Sequence, residues 1–224
     1  MLSGSLLKFL ISREITFLNL KQEIMPKAEE ILDGLHAIAN DYVTLAKIWH
    51  LLFYVLIIAL LAGWTPSNQL LGSILCLPLL TVALLAWMRG NPFNGALFTA
   101  LAIWLFVFSM GISGLPVVMA QWPFVMTGIF MMTFGLVYPH FIETNSHIGY
   151  LYASPAGLIP CPTLSVVIGF LLVFNGLNSA CISLAFVIAG LFYGLFGLLK
   201  LKVQLDLFLV VGAVVLLIKY FSLT

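Results

Sequence analysis

Charge is what this sequence has least of. Only 8% of its 224 residues are charged, against roughly a quarter in soluble domains. Hydrophobic residues make up 62%, and the mean hydropathy is +1.16. This balance excludes a soluble globular domain. Nine basic and eight acidic residues leave a formal net charge of +1, so there is no general attraction to nucleic acid, and none is expected as a partner. Cysteine is scarce too. Cys76, Cys161 and Cys181 stand singly in apolar surroundings, which excludes a disulfide framework and a paired-cysteine metal or redox motif. Catalytic-serine, phosphate-loop and dinucleotide signatures are missing, so the residues favour no enzyme class. No cleavable signal peptide is expected: Lys8 precedes only the short run Phe9 to Ile11 before Ser12, Arg13 and Glu14.

What the chain has in abundance is long apolar runs. A helix crossing a bilayer needs roughly 17 to 25 such residues. Seven spans are predicted from Val43 onward: Val43–Gly63, Leu70–Trp87, Gly95–Gly111, Pro123–Tyr138, Pro162–Leu177, Ser179–Leu198 and Leu207–Phe221. The last is short, and a six-span reading that omits it is the alternative. Turn-like separators divide the runs, WTPSNQ at 64–69, MRGNPFN at 88–94 and LKLKVQLD at 199–206. Trp64, Trp87 and Trp122 fall at span ends, where aromatic belts place them. Pro78 and Pro116 are expected to kink helices. The fold class is therefore an all-α polytopic membrane helix bundle with the lipid bilayer as its surroundings. An N-terminus on the inner side puts Lys8, Arg13, Lys21, Lys27, Lys47, Arg89, Lys200 and Lys202 inside, and Lys219 alone outside.

Residues 1–42 differ from the rest, and form an amphipathic N-terminal region set apart from the bundle of 43–224. Leu2, Leu6, Leu7, Leu10, Phe17, Leu18 and Leu20 alternate with charges of both signs. After Pro26, Ala28, Ile31, Leu32, Leu35, Ile38, Ala39 and Tyr42 recur at helical spacing, opposite Glu29, Glu30, Asp33, His36, Asn40 and Asp41. Mixed charge on the polar face favours packing on protein over binding lipid head groups. A small-residue face on the sixth span, Ala185, Ala189, Gly190, Gly194 and Gly197, also permits close helix approach. Membrane-protein partners are therefore expected at the N-terminal helices and at the sixth span.

One long interruption breaks the apolar second half, YPHFIETNSHIGYLYASPAGLIPCPT at 138–163. Pro139, Pro155, Pro160 and Pro162 forbid a continuous helix, because each removes a backbone donor and biases the residue before it away from helical angles. Broken backbone beside a membrane needs protein or a wet cavity to satisfy its polar groups, which makes this stretch the natural place for a site. Its candidate substrate- or cavity-contacting residues are His140, Glu143, His147, Ser154, Cys161 and Thr163. The four prolines, with Gly190 and Gly194, are candidate structural residues. His140, Glu143 and His147 would share a face if the fourth helix continued, and could then hold a metal ion. His50 with His140 or His147 could in principle hold haem. Neither spacing matches an established motif, so no cofactor and no metal residue is assigned. Cys161, between two prolines, would sit at a helix start, with Pro162 at its first position.

These residues carry a resemblance. Tyr138-Pro139, His147, Tyr150, Ser154-Pro155, Gly157, Pro160-Cys161-Pro162-Thr163, Gly169, and Asp206 before a last apolar span resemble the pattern of an uncharacterised bacterial family of small multi-pass membrane proteins, a domain of unknown function. The resemblance covers roughly residues 134–217, and it implies a bacterial inner-membrane location without implying an activity. The chain departs from the pattern at Ser146-His147-Ile148-Gly149-Tyr150, where Gly-His-x-Tyr-Pro is expected. A looser similarity of residues 157–162 to nickel/cobalt efflux permeases lacks their histidine- and aspartate-rich helix.

Three functional expectations follow, in order. The first is a permease-like or small-solute-binding protein built around 138–163. The second is a non-catalytic accessory subunit of a larger membrane complex, and the third a membrane haem or metal redox protein.

Overall fold

The computed structural model describes residues 27–111, 114–143 and 147–222, and the amphipathic run at 2–25 and Pro26 lie outside them. The described residues form nine α-helices: α1 (Ala28–Asp41), α2 (Val43–Leu61), α3 (Asn68–Met88), α4 (Pro92–Met110), α5 (Trp122–Leu136), α6 (Tyr150–Ala153), α7 (Pro160–Val173), α8 (Ala180–Leu199) and α9 (Asp206–Phe221). Four of them, α2, α3, α4 and α8, are long and apolar enough to cross a membrane. The other apolar helices, α5, α7 and α9, have 15, 14 and 16 residues.

Local chemistry explains most helix starts. Glu30 accepts a hydrogen bond from the Lys27 backbone at the head of α1. The Ser67 hydroxyl accepts from Leu70 N–H at α3, the Asn91 side chain from Asn94 N–H at α4, and the Ser179 hydroxyl from Ile182 N–H at α8. Each capping group satisfies one of the backbone donors that a first turn leaves without a partner. α4 and α5 also carry proline in their first turns, where no intrahelical donor is lost.

α7 is the axis of the bundle. Every residue from Pro162 to Val173 is buried, with α5, α9, α8 and α3 packed around it. The α5–α7 approach is close enough that a Cβ on Gly128 would lie 2.7 Å from the Gly169 carbonyl oxygen, and one on Gly135 2.6 Å from that of Pro162. Such proximity of small residues gives van der Waals packing that does not depend on transfer out of water, the available driving force between helices in lipid. The glycine face of α8 is used in the same way. A Cβ on Gly190 would lie 2.9 Å from Ala213 Cβ, and one on Gly194 2.6 Å from Val210 Cγ2, both on α9. This small-residue face, expected as a place for a partner, is filled from within the chain.

Two sequence expectations are corrected. Pro116 does not kink a helix. It lies in the extended α4–α5 connection, bridged to Ser67, with Val117 N–H donating to the Pro66 carbonyl and Ala120 N–H to that of Val173. α7 begins at Pro160 rather than Pro162, and stops at Val173 instead of Leu177. The first turn has several orphan donors, so it accommodates both prolines. At the other end Asn175, Gly176, Leu177 and Asn178 all have positive φ, which ends the helix in a left-handed turn.

Candidate functional site

The end of the interruption between α5 and α7, next to α7, is packed against protein, whereas Pro139, His140, Glu143, Ile148, Leu151 and Tyr152 before it are exposed. From Ala153 to Pro160 every residue is buried, and side chains hold the irregular backbone. Ser154 Oγ donates to the Gly135 carbonyl at 3.0 Å, fixing the segment to the end of α5. Thr163 Oγ1 accepts from Gly157 N–H at 2.8 Å and donates to the Ile159 carbonyl at 2.7 Å. Gly157 has φ +83, and a Cβ there would lie 2.5 Å from the Trp49 ring of α2. Only glycine meets both demands. Ser154 and Thr163 are thus committed to the corner they build.

Cys161 has a different position. Its Sγ lies 3.3 Å from Asp206 Oδ2, at the first residue of α9. Tyr138, two residues past the end of α5, donates its hydroxyl to Asp206 Oδ1 at 2.8 Å. Asp206 is 2% exposed. α8 makes room for it at Gly197, where a Cβ would fall 1.7 Å from Oδ2. The carboxylate therefore sits among α7, α8 and the segment after α5, and its hydrogen bonds come from a phenol and a thiol. No basic side chain pairs with it among the described residues, whose ion pairs are His36–Glu143 and Arg89–Asp41.

Beside this cluster lie two adjoining cavities. One, of about 400 Å³, is walled by Ile31 and Leu35 of α1, Asn91, Phe93 and Asn94 at the head of α4, Pro160 and Cys161 of α7, Phe192, Tyr193, Phe196 and Gly197 of α8, and Lys200 just after it. The other, of about 580 Å³, continues under α1 past Gly34, Ile38, Arg89 and Leu158. In the first, the Tyr193 hydroxyl donates to Asn94 Oδ1 at 2.8 Å. α1 roofs both cavities with its apolar stripe, and polar contacts clamp its outer side. Asn40 Nδ2 donates to the carbonyls of His36 and Phe141, Asn40 Oδ1 accepts from Glu143 N–H, and Arg89 pairs with Asp41 while lying over the Tyr42 ring.

The histidine–glutamate cluster does not form around a shared face. Glu143 turns to His36 Nε2 at 3.4 Å. His140 sits edge-on to Phe141, with ring centroids 4.2 Å apart. Although His140 as a residue is exposed, partial burial of its ring and then the nearby His36 hold its pKa below the ordinary histidine value. The His147 side chain lies outside the described residues. Helical continuation past Tyr138 was the condition for these three to meet, but α5 already stops at Leu136, and Phe141, with φ 76, keeps the backbone beyond it irregular. No group of three or more His, Cys, Asp or Glu side chains that could hold a metal occurs among the described residues. His50 is occupied as well, its ring nitrogens lying 2.8 Å from the Ala46 carbonyl and 2.9 Å from the Leu136 carbonyl, so it has no nitrogen free for haem.

Sequence reasoning placed Asp206 in the α8–α9 separator and missed its inward turn, and it did not single out Tyr138, Asn94, Tyr193 or Gly197 as site residues. One signal was available, since Glu143 and Asp206 are the only acidic residues after Asp41. Compared with protein-family models, curated proteins and solved structures, the chain matches none.

Proposed function

We propose that the protein is a seven-span membrane protein of the bacterial inner membrane, with its N-terminus inside, that binds a small solute at its cytoplasmic end in the manner of a permease. The observation that carries the reading is the 400 Å³ cavity between α1 and the broken start of α7, with Cys161 and Gly197 in its wall and the Asp206 carboxylate directly behind them. Buried ionisable groups at the margin of apolar helices, beside a discontinuous segment and a cavity, are the usual parts of a solute site in such proteins.

The seven-span count is supported by what flanks the short helices. α7 alone is about 21 Å long at 1.5 Å per residue, short of the roughly 30 Å hydrocarbon core. The buried run 153–159 before it and the left-handed turn after it lengthen the path without exposing unpaired backbone. Orientation is supported by Arg89, Lys200 and α1, which gather around the cavities at one end. The accessory-subunit reading rests on the N-terminal region, because the α8 glycine face is already filled by α9.

The test is a solute library screened against the detergent-purified protein by thermal unfolding, with Ile31→Trp as the control, since Ile31 borders both cavities. Solutes that stabilise the native chain and not the variant are expected. A library in which no solute stabilises the native protein, or in which the variant responds equally, overturns the reading.

A further inference from the structure

The geometry points to an organic cation, an amine or quaternary ammonium on an apolar body, as the ligand of this cavity, with Asp206 as its counter-charge. The inference rests on the solute site proposed above and names its substrate class.

The argument begins with an imbalance. Both Asp206 oxygens act as acceptors, Oδ1 toward the Tyr138 hydroxyl and Oδ2 toward the Cys161 thiol, which is the hydrogen-bond pattern of a carboxylate. Two neutral donors solvate such a group partly and leave its charge uncompensated. A buried charge is stable only when it is paired as well as hydrogen-bonded. From the segment just after α5 the facing group is Tyr138, from α7 it is Cys161, and from α8 it is the bare backbone of Gly197; none is a cation. Lys200, one turn beyond Gly197, is exposed at the cavity mouth.

The cavity supplies the second half. Gly197 and Cys161 both line it and both touch Oδ2, so the carboxylate stands one layer behind the wall, in the gap that the glycine leaves. The remaining wall is mostly aromatic and aliphatic, with Phe93, Phe192, Tyr193 and Phe196 contributing rings, Asn91 and Asn94 contributing amides, and the exposed Lys200 as its one cationic residue. Aromatic faces attract cations through the ring quadrupole, and do so more strongly away from water. A negative charge behind an aromatic wall discriminates by sign, whereas the apolar lining accepts any body of suitable size. A bare metal ion would find few oxygens in this wall. An organic cation finds both its charge partner and its apolar surface.

The test uses three probes with a common aromatic body and three charges: phenyltrimethylammonium, its neutral isostere tert-butylbenzene, and 4-tert-butylbenzoate, which adds a ring carboxylate. Affinity for the purified chain is measured by calorimetry in a non-ionic detergent. The ammonium is expected to bind roughly tenfold or more tighter than the isostere, and the benzoate more weakly than either. Asp206→Asn should bring the ammonium down to the isostere. Because the probe series reads charge preference in the native protein, the result stands even if that variant folds poorly. If the isostere binds, is blocked by Ile31→Trp, and is matched by the ammonium, the cation assignment falls and the solute site survives. If none of the three binds, the assignment and the site fall together.

Discussion

Tyr138, Cys161 and Thr163 each make one or two hydrogen bonds in the same corner, yet their substitutions should differ. Thr163 serves the backbone, and replacing it with Val strands a buried Gly157 N–H, which should cost about 1–3 kcal/mol. Cys161→Ala removes a long sulfur contact and little volume, for a loss of about 1 kcal/mol. Thermal unfolding in detergent should therefore rank Thr163→Val clearly below Cys161→Ala, and the opposite order would show that the thiol builds the corner. Tyr138→Phe deletes a direct donor to a buried carboxylate and should destabilise by about 1–3 kcal/mol. Asp206→Asn should be far milder, because it removes the charge and its desolvation cost along with the interaction. An Asp206→Asn protein less stable than Tyr138→Phe would mean that the carboxylate is a net structural asset.

At the scale of the element, α7 depends on where it is forced to stop at each end. Ile159 is extended, with ψ 158, as the residue before a proline should be. Pro160 and Pro162 occupy the first turn. Changing both to Ala should let the helix grow backward through Ile159 and Leu158, pulling Gly157 from Trp49 and Ser154 from Gly135, and collapsing the cavity beside Cys161. Loss of monodispersity in detergent and of solute-dependent stabilisation is the expected outcome; a silent double variant with an inactive Cys161→Ala would refute the dependence on backbone shape. Lys219 marks the opposite end of the bundle. It is 1% exposed and donates to Asn175 Oδ1 at 2.8 Å, which ties the last turn of α9 to the left-handed turn after α7.

For the whole molecule, the proposed seven-span arrangement with the N-terminus inside predicts that reporters fused after Gln69 and at the C-terminus read outside, while one near Asn145 reads inside. A C-terminus read inside would remove one span. Deleting residues 1–25 should leave insertion intact, since α2 carries 19 apolar-rich residues of its own, and membrane fractionation of the truncated chain checks this.

Much of this architecture was legible in order along the chain. The apolar runs, their separators and the proline interruption map onto α2 to α9 within a few residues, because a helix's existence depends on local composition and the absence of breakers. The site was legible only at its edges. Proline content located the corner and singled out Cys161, but His140 and Glu143 were grouped on the assumption of a continuing helix, whereas α5 ends at Leu136. Asp206 looked like one more polar residue in a loop. What turned it inward is the space opposite Gly197 and the donors just past α5 and at the start of α7, residues 68 and 45 positions away. Burial of a charge is set by which helices meet, and that was decided by tertiary packing alone. The sequence by itself determined a chain of apolar helices broken once by proline, since hydropathy and backbone donors are properties of single residues and their neighbours.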